Sequence, residues 1–189
     1  FICVGGDGTL NEIVNSAPCN PNVEFGVIPK GSGNDFVRNF SERKLFESIE
    51  AQLDGDTVSL DLIKCNDYYC VNMVNIGFDC GVVKEADKFR KFKFISPGIS
   101  YILGVFIGFF KHFGTKMKLI YDDGRIVEKV LTLTAIGNGK FCGGGFMAAP
   151  DAVLTDGILD ICAIDKISRF TFIKLVGSYK KGTHLTNKH

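Results

Sequence analysis

Tryptophan is absent from this 189-residue sequence, and the three histidines show no spacing typical of metal ligands or of a catalytic triad. The seven cysteines are odd in number and include no C-x-x-C pair. This argues against a secreted disulfide framework and a zinc ribbon, and favours reduced thiols in a cytosolic protein. A strong charge is also missing: the net charge of +1 disfavours a basic nucleic-acid-binding domain. Because no initiator methionine or signal peptide precedes the apolar run that starts at Phe1, we expect a fragment.

The composition nevertheless provides a sizeable core. Hydrophobic residues make up 46% of the chain, 17 of them phenylalanine, and the mean hydropathy is +0.15. This is the length of one large domain or two small ones. Residues 1–60 carry 4 Lys/Arg against 9 Asp/Glu, whereas residues 61–189 carry 18 against 12. The near-neutral total therefore combines an acidic first part with a basic second part.

The pattern of apolar runs changes near the same point. Two short runs, Phe1–Val4 and Phe25–Ile28, are each followed by a glycine loop and a helix-like segment. Later runs are strand-like and are separated by turn signals. They are Thr57–Cys65, Tyr68–Ile76, Lys116–Tyr121, Val127–Ile136 and Ile158–Ile164. We therefore predict an α/β fold plus a mostly-β part: the C-terminal part of a Rossmann-like nucleotide-binding domain over 1–58, then a β-sandwich-like domain with one or two helices over 59–189.

The first glycine loop, Gly5–Thr9 (GGDGT), connects an apolar strand to a helical segment. Glycines allow backbone N–H groups to approach phosphate oxygens, and the helix N-terminus adds attraction for an anion. No Gly-Lys-Ser/Thr follows, which excludes a Walker A loop. Asn11 stands where the dinucleotide fingerprint needs glycine or alanine. Asp7 is unfavourable among phosphate-binding amides unless it serves a metal ion or the attacking hydroxyl.

A second loop, Pro29–Phe36 (PKGSGNDF), repeats this arrangement about 25 residues later. Its Ser32 and Asn34 are good helix-capping residues, and each is equally suited to hydrogen bond phosphate or ribose oxygens. Two strand–loop–helix units with polar residues embedded in the glycines indicate a nucleotide site rather than two ordinary turns.

Together, Gly5–Glu12 and Pro29–Phe36 resemble the catalytic domain of the diacylglycerol kinase and sphingosine kinase superfamily, and the bacterial lipid kinases of that group most closely. Further motifs that resemble the family continue in the right order to the end of the chain. They are Asn75–Asp79, Gly137–Gly139, Gly143–Gly145, Pro150, Leu154–Asp160 and Gly182–Leu185.

The resemblance implies roles for particular residues. It assigns ATP binding to Gly5, Gly6, Asp7, Gly8, Thr9, Asn11 and Ser32. Ser32 replaces the usual threonine and keeps its hydroxyl. The aspartate of the Asp-Gly-x-Leu turn resembles a structural Mg²⁺ ligand, which gives Asp156 with the main-chain carbonyls of Val153 and Ile158. Taken without the family, Asp156-Gly157 is an ordinary turn dipeptide.

The general base has two candidates. Related lipid kinases suggest Asp7, whereas the family also has a late Asp-Gly-Glu that would lie beyond His189. The family's opening Asn-Pro-x-x-Gly segment would lie before Phe1. We therefore expect a fragment lacking both termini of the catalytic apparatus, with weak activity or none.

A stretch of 17 residues without charge, Phe94–Phe110, raises the question of a membrane span. Ser96 reads as an N-cap and Gly114 as a stop, so the predicted helix from Pro97 to His112 is roughly 24 Å long, short for a bilayer core of about 30 Å. We expect a buried or interfacial helix whose glycines allow close packing on a sheet. The preceding basic residues, Lys84, Lys88, Arg90, Lys91 and Lys93, suit either anionic lipid or a solvated helix face.

The leading hypothesis is a cytoplasmic kinase, peripheral to the inner face of the membrane, that transfers a phosphoryl group from ATP to a lipid alcohol with Mg²⁺ as cofactor. Diacylglycerol is the default acceptor by resemblance, and a homodimer is a further expectation. One alternative is an NAD-kinase-like enzyme acting on a soluble acceptor. Another is a non-catalytic homologue that senses nucleotide or lipid.

Overall fold

The computed structural model describes residues 1–91, 103–104, 107–108 and 113–187. The chain packs as two discontinuous units. The first comprises Phe1–Val74, Ile136–Asp160 and Ser178–Leu185, and the remaining segments form the second. The first of these segments ends at Val74. The domain boundary expected between residues 58 and 59 stays a prediction.

The first unit begins with a β-α-β arrangement. Strands β1 (Ile2–Gly5) and β2 (Gly26–Pro29) pair in parallel, with Ile2 opposite Gly26 and Gly5 opposite Pro29. Helix α1 (Asp7–Ser16) connects them and buries Leu10 and Val14, which lie one turn apart. These two side chains pack against the fully buried Cys3 and Val27. The predicted α/β beginning is confirmed.

The rest of this unit is made of short elements. Two 3₁₀ turns, Phe36–Asn39 and Arg43–Phe46, precede helix α2 (Ile49–Asp54), whose first turn is capped by the Ser48 hydroxyl accepting the Ala51 N–H at 3.0 Å. A hairpin follows, with β3 (Ile63–Cys65) antiparallel to β4 (Tyr68–Cys70). Further on, β8 (Phe141–Cys142) pairs with β9 (Phe146–Met147) across the Gly143–Gly145 turn.

Two of the predicted strands are shorter than expected. The run Thr57–Cys65 is a strand only from Ile63, because the Asp61 N–H is bonded to the Leu154 carbonyl outside any sheet. The run Tyr68–Ile76 is divided into β4 and β5 (Met73–Gly77). The division lies at Asn72, whose carbonyl accepts the N–H groups of Asn138 and Gly139.

The second unit is built on a four-stranded sheet. Strand β7 (Ile126–Gly137) lies between β5 and β10 (Asp160–Asp165) and also pairs with the antiparallel β6 (Thr115–Ile120). Helix α3 (Phe78–Arg90) and the first residues of helix α4 (Arg169–Lys181) belong to the same unit. The rings of Phe78, Phe113 and Phe172 form an aromatic cluster with centroids 5.0–5.8 Å apart. The predicted mostly-β second part with few helices is confirmed.

The helix predicted from Pro97 to His112 lies mainly outside the described residues. The four that are described, Leu103, Gly104, Ile107 and Gly108, are helical. A β-carbon on Gly104 would lie 2.7 Å from Ala86 Cβ, and one on Gly108 would lie 3.0 Å from a Val82 methyl. The glycine spacing therefore serves contact with helix α3, not the predicted contact with a sheet. Within the described part of the chain, no helix is both long enough and apolar enough to span a membrane.

Candidate active site

The two glycine loops meet at one edge of the β1–β2 pair. Parallel strands end at the same edge, so the residues after Gly5 and after Pro29 emerge side by side. The Lys30 N–H donates to the Gly5 carbonyl at 2.8 Å. A β-carbon on Gly6 would lie 2.9 Å from Gly31 Cα, a distance that real side chains do not adopt. The loops therefore touch backbone to backbone, and only glycine fits at this junction.

The first loop leads directly into the N-terminus of α1. Gly6 is the N-cap, and no side chain caps the helix. The first N–H groups of a helix have no acceptor within it, so this end is suited to an anion. Gly8 and Thr9 are exposed, and the Thr9 side chain lies over Gly5, where a β-carbon would come within 2.7 Å of it.

Asn11 lies one turn further along α1. It is half-buried, and its Oδ1 accepts no hydrogen bond from any residue that the structure describes. A buried amide oxygen without a donor is costly, and a ligand hydroxyl or amino group is one way to satisfy it. The role of Asn11 in nucleotide binding stays a prediction.

The second loop is closed by its own asparagine. Asn34 Oδ1 accepts the Gly31 N–H and Asn34 Nδ2 donates to the Gly31 carbonyl, both at 2.9 Å. Asn34 adopts a positive φ of 51°, which asparagine tolerates better than most residues. Its side chain thus shapes the loop, while Ser32 remains exposed at the tip with its hydroxyl accessible to a ligand.

A pair of carboxylates lies behind these loops. Asp7, the first residue of α1, accepts the Phe36 N–H on Oδ1 at 2.9 Å. The Asp35 carboxylate accepts the Gly144 N–H on Oδ2 at 2.7 Å. A β-carbon on Gly33 would lie 3.2 Å from Asp7 Oδ2 and 3.3 Å from Asp35 Oδ2, so the two carboxylates face each other across this glycine. Asp35 lies within the Pro29–Phe36 motif, yet its position beside Asp7 was not predicted.

The Asp35 carboxyl is buried, with 6% of the residue exposed. Burial raises its pKa above the usual value, and the neighbouring Asp7 charge raises it further. The hydrogen bonds from the Gly144 and Gly145 backbone and the charge of Arg38 act in the opposite direction. The net effect favours the protonated form more than water does.

A buried asparagine and two half-buried ones hold the Gly137–Gly139 motif in place. Asn138 is fully buried and donates to the carbonyls of Asp61 at 2.7 Å and Val71 at 3.0 Å. Asn72 Nδ2 donates to the Phe141 carbonyl at 2.8 Å, and Asn72 Oδ1 accepts from Asn39 Nδ2 at 3.2 Å. Asn39 Oδ1 in turn accepts the Lys140 N–H at 2.7 Å. This network joins residues far apart in the sequence and was not predicted from the Gly-Asn-Gly motif.

The predicted metal ligands lie in the loop after β9. Val153, Asp156 and Ile158 are exposed, and Asp156 Oδ1 accepts the Ile158 N–H at 3.0 Å. The Asp61 carboxylate accepts the Gly157 N–H at 2.7 Å, so a second acidic side chain stands beside this turn.

The surroundings of the turn are acidic. Burial raises the pKa of Asp160, and the charges of Asp156 and Asp151 raise it further. Among the described residues, no three His, Cys, Asp or Glu side chains form a metal-binding group, so a cation here would also need main-chain oxygens. The donor set, a carboxylate with carbonyls in an acidic loop, fits a hard cation.

Comparison with known proteins agrees with this organisation. Residues 1–65 match the diacylglycerol kinase catalytic domain. Residues 72–189 match the YegS C-terminal NAD kinase beta sandwich-like domain.

Two curated relatives agree with these family matches, and one solved structure shares the fold. A "Probable lipid kinase YegS-like" protein of Shewanella frigidimarina is 32% identical over 173 residues, covering 88% of this chain and 54% of the relative. A diacylglycerol kinase of Bacillus subtilis is 27% identical over 192 residues, covering 100% of this chain and 62% of the relative. The chain thus spans little more than half of these relatives. A crystal structure of a Bacillus anthracis diacylglycerol kinase, 23% identical, shares the fold with a TM-score of 0.62, covering 93% of this chain and 57% of that one.

Proposed function

Because the chain belongs to the YegS-like family and begins with a diacylglycerol kinase catalytic-domain segment, we propose that the protein transfers the γ-phosphoryl group of ATP to the hydroxyl of a membrane lipid alcohol. Diacylglycerol is the first candidate acceptor, since the Bacillus subtilis relative is a diacylglycerol kinase. The observation that carries the proposal is the junction of the two glycine loops, where an uncapped helix N-terminus and the Asp7 carboxylate lie together.

Both glycine loops would contribute to nucleotide binding. Backbone N–H groups of Gly5–Thr9 would bind phosphate oxygens, with Asn11 and Ser32 contributing side-chain hydrogen bonds. Phosphoryl transfer depends mainly on positioning and charge stabilisation, so a rigid backbone cradle suits it. Asp7 is the proposed general base: one carboxylate oxygen is held by Phe36, which leaves the other oriented towards Gly33 and able to accept a proton from the acceptor hydroxyl.

Mg²⁺ is the proposed cofactor. Asp156 with the carbonyls of Val153 and Ile158 would hold it, and the ion would supply positive charge within the acidic loop. Asp61 supports this arrangement from the side, because its carboxylate fixes the Gly157 N–H while its carbonyl is held by Asn138.

Contact with the membrane is proposed for exposed apolar side chains flanked by cations. On α4, Phe170 is 80% exposed and Ile173 is 59% exposed, with Arg169 and Lys174 adjacent to them in the sequence. On α3, Lys84 is exposed beside Val83, whereas Lys88 is paired with Glu85 at 2.8 Å. An apolar face flanked by cations suits a surface of anionic lipid.

Vesicle sedimentation at low salt tests the membrane contact. We expect the full-length protein to bind vesicles containing anionic lipid, and Phe170→Ser with Ile173→Ser to weaken that binding. Leu53→Ser is the matched control, because Leu53 is 71% exposed on α2. Absence of binding by the wild-type protein would contradict the proposal.

Transfer of radiolabelled phosphate tests the function. The full-length protein is incubated with labelled ATP and a panel of acceptors: diacylglycerol, a sphingoid base, other lipid alcohols and NAD. We expect label in a lipid product and its loss in Asp7→Asn. Asp67→Asn, an exposed aspartate in the β3–β4 turn, is the control. Label in NAD alone would favour the soluble-acceptor alternative, and ATP binding without transfer would favour a non-catalytic sensor. Unchanged transfer in Asp7→Asn would exclude Asp7 as the base.

A further inference from the structure

Asp35 connects parts of the chain that are far apart in sequence. Its carboxylate accepts the Gly144 N–H across 109 residues, and this bond joins the second glycine loop to the Gly143–Gly145 turn. All three glycines of that turn have a positive φ, between 59° and 105°. A turn of this kind has little rigidity of its own, because glycine loses the most conformational freedom on ordering. The buried carboxylate therefore helps to fix the turn, together with the pairing of β8 and β9 across it.

Asp35 also faces the proposed base. The Gly33 Cα–H lies between Asp7 and Asp35, and both Oδ2 atoms approach the position where a β-carbon of Gly33 would stand. Two carboxylates this close, one of them buried, repel each other when both are ionised. A buried carboxylate beside a second carboxylate needs a nearby cation to compensate its charge.

The compensating cation is Arg38. Its Nε lies 3.4 Å from Asp35 Oδ1, and its Nε and Nη2 donate to the Gly33 carbonyl at 3.2 and 3.1 Å. The guanidinium thus holds Gly33, the residue between the two carboxylates, while it offsets one of their charges. Among the described residues, the charges of Asp7 and Arg38 act on Asp35.

We propose that Asp35 is a positioning residue for phosphoryl transfer: it holds the Gly143–Gly145 turn against the second glycine loop and sets the position and electrostatic surroundings of Asp7. This inference rests on the proposed function of Asp7 as the base. Asp35 accepts a hydrogen bond from the turn and lies across Gly33 from Asp7, and it acts on the reaction through them.

A cycle of unfolding measurements tests the pairing independently of activity. Asp7→Asn, Asp35→Asn and the double variant are compared with the wild type at pH 7. Each asparagine keeps an oxygen that can accept the bond from Phe36 or Gly144, so only charge is removed. We expect non-additive changes, because neutralising either carboxylate relieves the same repulsion. Additive changes would overturn the pairing.

A second comparison covers the case in which Asp35→Asn does not fold. Because burial and the Asp7 charge raise the pKa of Asp35, that carboxyl is ionised more fully at pH 7 than at pH 4. Asp7→Asn should therefore raise the melting temperature, relative to the wild type, more at pH 7 than at pH 4. An equal effect at both pH values would overturn the inference.

Kinetics then test the positioning role, using the acceptor identified for the wild type. With Asp35→Asn we expect the pH profile of kcat/KM to differ from that of Asp67→Asn. With Asp35→Ala, which also releases the turn, we expect kcat to fall at least about tenfold, more than KM for ATP rises. An Asp35→Asn profile identical to that of Asp67→Asn would overturn the role. If the wild type transfers no phosphate, the proposed function fails, and the unfolding cycle still decides whether Asp7 and Asp35 act on each other.

Discussion

Replacement of Gly31 by alanine tests the contact between the two glycine loops. A β-carbon at Gly31 would overlap Gly6 Cα and lie 3.2 Å from the Gly6 nitrogen and 2.9 Å from Asn34 Oδ1. Two of these three atoms belong to the backbone, so no side-chain rotation can relieve the clash. Gly31 does not have a positive φ, so its own backbone conformation accepts alanine. The cost is therefore steric and arises from the approach of Gly6.

The size of the effect follows from that geometry. Inserting one methyl group where no space exists costs about 1–3 kcal/mol in packed protein regions. For a chain of this length, each 1 kcal/mol lowers the melting temperature by about 2–4 °C. We expect Gly31→Ala to melt roughly 2–12 °C below the wild type. Moving Gly6 also displaces the N-cap of α1, so affinity for ATP should fall with stability.

Gly8→Ala is the matched control. Gly8 lies in the first turn of α1, and a β-carbon there would have no atom within 4 Å. Alanine in a helix is favoured over glycine by about 0.5–1 kcal/mol, so this variant should be as stable as the wild type or more so. Thermal unfolding and calorimetric titration with a non-hydrolysable ATP analogue measure both quantities. A Gly31→Ala protein with wild-type stability and wild-type ATP affinity would refute the contact.

Three further predictions address other parts of the first unit. Asn138→Ala should lose about 2–4 kcal/mol of unfolding free energy in chemical denaturation, because the Asp61 and Val71 carbonyls lose their donor in a buried place, while the exposed Asn22→Ala should change little. Burial lowers the pKa of His184, so the folded state prefers the neutral ring: stability should be full above pH about 6.5 and fall as the pH drops through the lowered pKa. His184→Gln should flatten this fall between pH 7.5 and 5, and an unchanged slope would refute its origin. Mg²⁺ should raise the melting temperature of the wild type and not of Asp156→Asn, and EDTA should reverse the rise; an equal rise in both proteins would exclude Asp156 as a ligand.

The elements that could be predicted are those specified by neighbouring residues. Strands β1 and β2 follow from short apolar runs, and α1 follows from the spacing of Leu10 and Val14. The adjacency of the two glycine loops agrees with the parallel pairing that a β-α-β unit requires. These relationships extend over about 30 residues or fewer, so the local pattern contains them.

The features that were missed depend on partners distant in sequence. Asn72 is an unremarkable residue in a strand-like run, yet its carbonyl accepts the N–H groups of Asn138 and Gly139 where the predicted strand is divided, and its side chain bonds Phe141 across 69 residues. The place of Asp35 beside Gly144 and the place of Gly104 beside helix α3 have no local signature either. Side-chain hydrogen bonds and close glycine contacts are decided by tertiary packing, and a single sequence does not display it.

These long-range contacts also indicate how much of the chain is needed to form the candidate site. The glycine loops lie within the first 36 residues, but Asp35 and Asn39 reach their partners only at Gly144 and Lys140. Asp61 likewise depends on Asn138 and Gly157 for its place. A polypeptide ending near residue 65, where the catalytic-domain match ends, would keep both glycine loops but none of these partners. We therefore expect that segment alone to bind ATP weakly, and residues 136–160 to be as necessary to the site as the loops themselves.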